Sequence, residues 1–176
     1  MVGLLWVAAS ASQSGLFSIL PLFLIKERGL PFGYANTLIG ITRIGGLFVS
    51  IASGFLADRY GYKKMLIFSL LSTGLSTIGL ALAPNPTILI IALILQATLS
   101  TMSFPAALAA IPHLNPPSDR SAATGLIFFL AVIFGNGICP FLLGVTADYV
   151  SFQIGILGLG ILISLSPLVL RFLQKP

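Results

Sequence analysis

Six apolar runs take up nearly the whole chain, each bounded by charged, proline or glycine-rich residues. They extend roughly from Gly3 to Ile25, Phe32 to Ala57, Met65 to Ala83, Pro86 to Pro112, Ser121 to Ala147 and Phe152 to Leu170. A helix rises about 1.5 Å per residue and bilayer hydrocarbon is about 30 Å thick, so one crossing needs about 20 mostly apolar residues. Each run supplies them. Composition closes the soluble alternative: 57% of the 176 residues are hydrophobic, 7% are charged and mean hydropathy is +1.07, whereas soluble domains carry about 25% charged residues. Open sheets would strand backbone groups in hydrocarbon, and barrel strands alternate in a way these continuous runs do not. The expected fold is therefore all-α, a single six-helix transmembrane bundle over residues 1–176 with no soluble domain or linker. The first run lacks a basic leader and a small-residue cleavage site, so it reads as a retained crossing rather than a signal peptide.

The charges sort themselves to the ends of these runs. Apart from Arg43, every charged residue falls in a turn or at a span end. A net charge of +5 and a pI near 9.8 would point to nucleic acid in a soluble protein, but the basic residues are scattered between apolar blocks and form no binding stripe. They set topology instead. Loops on the side of the N-terminus hold Arg59, Lys63, Lys64, Arg120, Arg171 and Lys175, against Lys26 and Arg28 on the other, which places both termini in the cytoplasm of a protein of the cytoplasmic membrane. The single cysteine, Cys139, sits in an apolar run and reads as a packing residue; no disulfide, metal cluster or cofactor is implied. An intramembrane serine protease would need a Gly-x-Ser-Gly nucleophile and a deep histidine, and His113 stands at a span end, so an enzyme is not expected.

Between the second and third runs the sequence reads Gly54-Phe-Leu56-Ala57-Asp58-Arg59-Tyr-Gly61-Tyr62-Lys63-Lys64, with Met65 and Leu66 opening the next run. A small Gly54 lets a helix end approach its neighbour, Gly61 permits a turn closed to other residues, and Asp58 can accept hydrogen bonds from a helix N-terminus or an arginine. Together they suggest a charged clasp that holds one conformation shut. This stretch resembles the signature of the major facilitator superfamily, G-x-L-a-D-r-x-G-r-k-x-x-l, at Gly54, Leu56, Ala57, Asp58, Arg59, Gly61, Lys63 and Leu66. Tyr62 stands where that family usually has a basic residue, while Lys63 and Lys64 keep the loop positive.

A weaker internal echo accompanies it. Gly144-Val-Thr-Ala147-Asp148 repeats the Gly-x-x-Ala-Asp of Gly54 to Asp58, and Gly45 pairs with Gly135 at the same offset. The two copies would end on opposite membrane faces, as in transporters built from two inverted three-helix repeats.

Polar residues inside the slab are costly and so mark helices that face a cavity or one another. Gln13 lies in the first run, Asn36 and Arg43 in the second, Gln96 in the fourth and Asn136 in the fifth, while the third and sixth have only hydroxyls. The resemblance implies that helices one, two, four and five line the translocation path and that three and six lie outside. Ser10, Ser14 and Ser18 beside Gln13, and Gln96, Ser100 and Ser103, are expected to form stripes along a watery slot. Thr42, Gly46, Ser50 and Gly54 form a small-residue ridge, and Pro105 and Pro140 should bend their helices. Arg43 is the charge deepest in a span, where it costs about 2.5 to 3.5 kcal/mol, and no Asp or Glu lies at its depth. Two readings stay open for it: contact with an anionic substrate in the cavity, with Gln13, Asn36, Gln96 and Asn136 as hydrogen-bonding neighbours, or structural pairing with carbonyls or a partner's acid.

The resemblance further implies that the chain is half of a transporter, completed by a second six-helix half upstream in the same gene or on another chain. The absence of a central linker, the ending at Gln174-Lys-Pro176 and Leu93 in place of the arginine usual in N-terminal halves point to the C-terminal half. Its partners would be the lipid bilayer and a small polar or anionic solute moved by alternating access. A drug or sugar porter and a non-transporting scaffold or sensor are the alternatives.

Overall fold

A computed structural model describes residues 2–114, 116 and 118–168. Arg171, Lys175, the close of the sixth run and the side chain of His113 lie outside the described residues. The apolar runs are helices: α1 (Gly3–Lys26), α2 (Phe32–Tyr60), α3 (Tyr62–Leu82), α4 (Pro86–Ala110), α5 (Arg120–Tyr149) and the shorter α6 (Phe152–Leu168). The first five are each long and apolar enough to cross a bilayer. Their ends carry the expected caps. Asn85 and Ser151 accept the backbone N–H groups of Ile88 and Ile154 at the starts of α4 and α6. Gly61 turns α2 into α3 at φ +88°, a conformation that a residue with Cβ resists.

Two apolar clusters sit at opposite ends of the bundle. One gathers Leu20, Phe23 and Leu24 of α1 with Leu80 of α3, Leu93 of α4 and Ile156 of α6. The other joins Leu5 and Trp6 of α1 to Leu66 and Leu70 of α3, Ala106 of α4 and Ile163 of α6. Between them lies a buried polar layer that includes Ser10, Ser12, Gln96, Ser100 and Thr73.

Glycine contacts fix the closest crossings. A Cβ on Gly74 of α3 would lie 2.6 Å from the Ser164 nitrogen of α6, and one on Gly160 would lie 2.9 Å from the Ile78 nitrogen, so those two backbones touch. Gly45 of α2 abuts Thr98 of α4, and Gly135 of α5 abuts Ser10 of α1. If α1, α2 and α3 are exchanged with α4, α5 and α6, the α2–α4 contact becomes the α5–α1 contact. The α3–α6 contact maps onto itself, which is the pairing an inverted repeat requires.

Three helices are locally broken. α1 contains a π-helical segment at Ala11–Gly15, ahead of Pro21; α5 contains one at Ala131–Ile138, ahead of Pro140; α4 turns at Met102, ahead of Pro105. Proline removes a donor from the helical ladder, and a π segment shifts the ladder by one residue, so both release carbonyls. Half of the most apolar window of α1 and of α3 is buried, against 22% for α2 and 28% for α5, so the last two present open faces.

Candidate functional site

The π segment of α1 is the centre of the polar layer. Its consecutive carbonyls at Ala11, Ser12 and Gln13 each accept from a different helix. Cys139 Sγ of α5 lies 3.9 Å from the Ala11 oxygen, Gln96 Nε2 of α4 lies 2.9 Å from that of Ser12, and Arg43 Nη2 of α2 lies 2.9 Å from that of Gln13. Carbonyls displaced from a regular ladder are strong acceptors in hydrocarbon, where leaving them bare is costly.

Arg43 is therefore held without a carboxylate. One nitrogen donates to the Gln13 carbonyl, and the guanidinium carbon lies 3.8 Å from the Phe17 ring centroid, a cation–π contact at close range. Arg43 also lines a slot of about 480 Å³ between α1, α2 and α4, together with Gln13, Leu47, Ser50, Ile51 and Phe104 among others. That volume falls in the range of about 300 to 1,000 Å³ typical of small-molecule sites.

Of the five polar residues singled out from the sequence, only Arg43 and Gln13 meet at this slot. Gln96 is 3% exposed and spends its amide on Ser12, so it fastens α4 to α1 instead of facing water. The stripe to which it belongs turns inward with it, since Ser100 and Ser103 are 1% and 0% exposed. Asn36 is exposed one turn into α2, donating to the Phe32 carbonyl, and Asn136 accepts from Ser10 Oγ at 2.8 Å. Phe104 in the slot wall and Phe17 against Arg43 have no signal in the sequence, because a phenylalanine in an apolar run is indistinguishable from its neighbours.

The signature loop behaves differently from the slot. Gly61 makes the expected turn, but nothing among the described residues lies within 4 Å of the place a Cβ would occupy on Gly54, so the close approach expected there does not occur among them. Gly144 at the echo position is equally open. Asp58 is exposed, and no bond to its carboxylate is recorded among the described residues; Arg59 lies 5.6 Å over the Tyr60 ring, and Lys63 sits in the first turn of α3.

At the opposite end the loop after α1 does what the signature loop does not. The Glu27 carboxylate accepts the backbone N–H groups of Phe152 and Gln153, the start of α6. Arg28 donates to the Ala83 and Ala81 carbonyls at the end of α3, at 3.0 and 2.9 Å. An anion at a helix N-terminus and a cation at a C-terminus both complement the macrodipole. The sequence showed these two residues only as loop charges, because the helices they cap are far away along the chain.

An all-α bundle with an intramembrane arginine, broken helices at mid-depth and inversion-related contacts defines one half of a membrane transporter fold. The chain belongs to the Major Facilitator Superfamily, whose family model matches residues 2–176. It is 35% identical over 144 residues to the enterobactin exporter EntS of Citrobacter koseri, covering 78% of this chain and 34% of that protein. It is 33% identical over 145 residues to EntS of Salmonella typhimurium, with the same coverage. To the MFS-type transporter YhcA of Bacillus subtilis it is 27% identical over 133 residues, covering 73% of this chain and 25% of that protein. The chain thus spans about a third of the length of the EntS proteins it matches.

Proposed function

We propose that the chain is one half, the C-terminal one, of a secondary active transporter of the cytoplasmic membrane, moving a small polar or anionic solute by alternating access. The observation that carries this reading is Arg43: a cation with no acidic partner among the described residues, held by a carbonyl and a ring and facing an open slot. A charge kept in hydrocarbon at this cost serves a ligand better than it serves packing. Gln13 shares the slot, Asn36 and Asn136 lie further along the helices with open faces, and Gln96 supports the slot from behind.

The second partner is a six-helix half facing α2 and α5, whose apolar faces this chain leaves uncovered. Gly54, Asp58, Arg59, Gly61 and Lys63 form the rim that docks against it, with both termini on the cytoplasmic side by the distribution of Lys and Arg. Two of the relatives carry the name of an exporter, which supports outward movement.

Solute flux into proteoliposomes tests the reading. With the full-length transporter, uptake of an organic anion should require Arg43 and disappear in Arg43→Gln at unchanged protein level. Flux that is indifferent to Arg43→Gln in a folded variant refutes the anion role, and absence of flux for every solute class favours the scaffold.

A further inference from the structure

Charge and donor counting at the Arg43 slot narrows the ligand class. Resting on the reading of Arg43 as an anion site, we infer that the slot takes a monovalent, amphipathic organic acid. Its carboxylate would meet the guanidinium and its apolar body would lie against Leu47, Ile51 and Phe104.

The first observation is the number of charges. Arg43 is the one ionisable residue on the lining of the slot, and the acids among the described residues stand at helix ends. One cation neutralises one anionic group; a second carboxylate or a phosphate dianion would bring an uncompensated charge into a low-dielectric site.

The second is the number of donors. One Arg43 nitrogen already serves the Gln13 carbonyl, and Thr101 Oγ1 is committed to the Thr98 and Gly46 carbonyls at 2.7 and 3.2 Å. What is left is the remaining fork of the guanidinium, with the Gln13 amide and the Ser50 hydroxyl beside it. A planar carboxylate is satisfied by that fork. A small hydrated ion such as chloride would surrender its water for too few donors.

The third is the wall. Leu47 and Ile51 are 68% and 65% exposed and stand beside Phe104, left open by the described residues. An apolar ligand body covers that surface; an inorganic anion leaves it wet. The Phe17 ring lies 3.8 Å from the guanidinium carbon and, with the Gln13 carbonyl, anchors the group before the ligand arrives.

The test uses the full-length transporter in lipid nanodiscs and measures displacement of radiolabelled benzoate, with Arg43→Gln nanodiscs as the partition background. From acetate through butyrate to hexanoate, affinity should rise about fourfold per methylene until the slot is full. Benzamide should not compete, and phthalate should compete about tenfold more weakly than benzoate. Arg43→Lys, which keeps the charge and loses the fork, should retain binding at reduced affinity; it covers the case in which Arg43→Gln does not fold. If acetate, nitrate and hexanoate displace equally well, Arg43 is an anion site and the amphipathic class is wrong. If no anion binds, or binding ignores Arg43→Gln and Arg43→Lys alike, the anion reading of Arg43 falls and this inference falls with it.

Discussion

The back of this bundle is closed and its front is open, although both are made of apolar helices. At the back, α3 and α6 touch through Gly74 and Gly160, and Glu27 and Arg28 tie the loop after α1 to an end of each. At the front, α2 runs past an empty Gly54 to an exposed Asp58. The contrast separates two uses of the same residue types. Gly74 and Gly160 at the back are there because a backbone is there, whereas Gly54 at the front faces open space. A carboxylate at the back caps a helix of its own chain, whereas the one at the front has no recorded bond among the described residues. The closed side holds the bundle together, and the open side carries the arginine slot and an uncovered apolar surface.

The sharpest way to break this comparison is to make one substitution on each side. Gly74→Leu drives a side chain into the Ser164 backbone and should cost about 3 kcal/mol or more, enough to lose the folded protein on thermal unfolding in detergent. Gly54→Leu meets nothing and should leave the melting temperature unchanged. Equal losses would mean that the front is as tightly packed as the back. Next in size is Arg28→Ala, which strips charged donors from the Ala81 and Ala83 carbonyls and should cost about 1.5 to 3 kcal/mol in the same assay.

Gln96→Leu removes the amide that holds α4 to the π segment. Its cost should be about 0.6 to 1.7 kcal/mol, the range found for hydrogen bonds between membrane helices. Smallest is Glu27→Gln at about 0.5 to 1 kcal/mol, since the carboxylate is exposed and its attraction to the start of α6 is screened. Asp58→Asn sharpens the contrast from the other side, with no change in melting and a loss of transport in proteoliposomes. A melting loss for Asp58→Asn as large as that for Glu27→Gln would show that both loops serve this half alone.

How much of this was legible beforehand follows from the range of each interaction. The apolar runs, the turn at Gly61, the proline breaks and the depth of Arg43 depend on residues close in sequence, and the chain displays them. Helical periodicity groups Gln96, Ser100 and Ser103 on one side of α4 without saying what that side meets, and in the structure that side is buried. It meets α1. The echo of Gly54-to-Asp58 in Gly144-to-Asp148 was visible as a pattern, but its meaning as exchanged contacts needed Gly45 against Thr98 and Gly135 against Ser10.

The sequence by itself determined that the chain is a set of lipid-crossing helices with one costly cation at depth. Segment length, hydropathy and the placement of charge are local quantities set against a solvent of known thickness. What that cation and the loop charges do is settled by packing. Whether Arg43 meets a carbonyl or a carboxylate, and whether Glu27 or Asp58 caps a helix, depends on which helix ends and which displaced carbonyls come within about 3 Å, a distance that only packing sets.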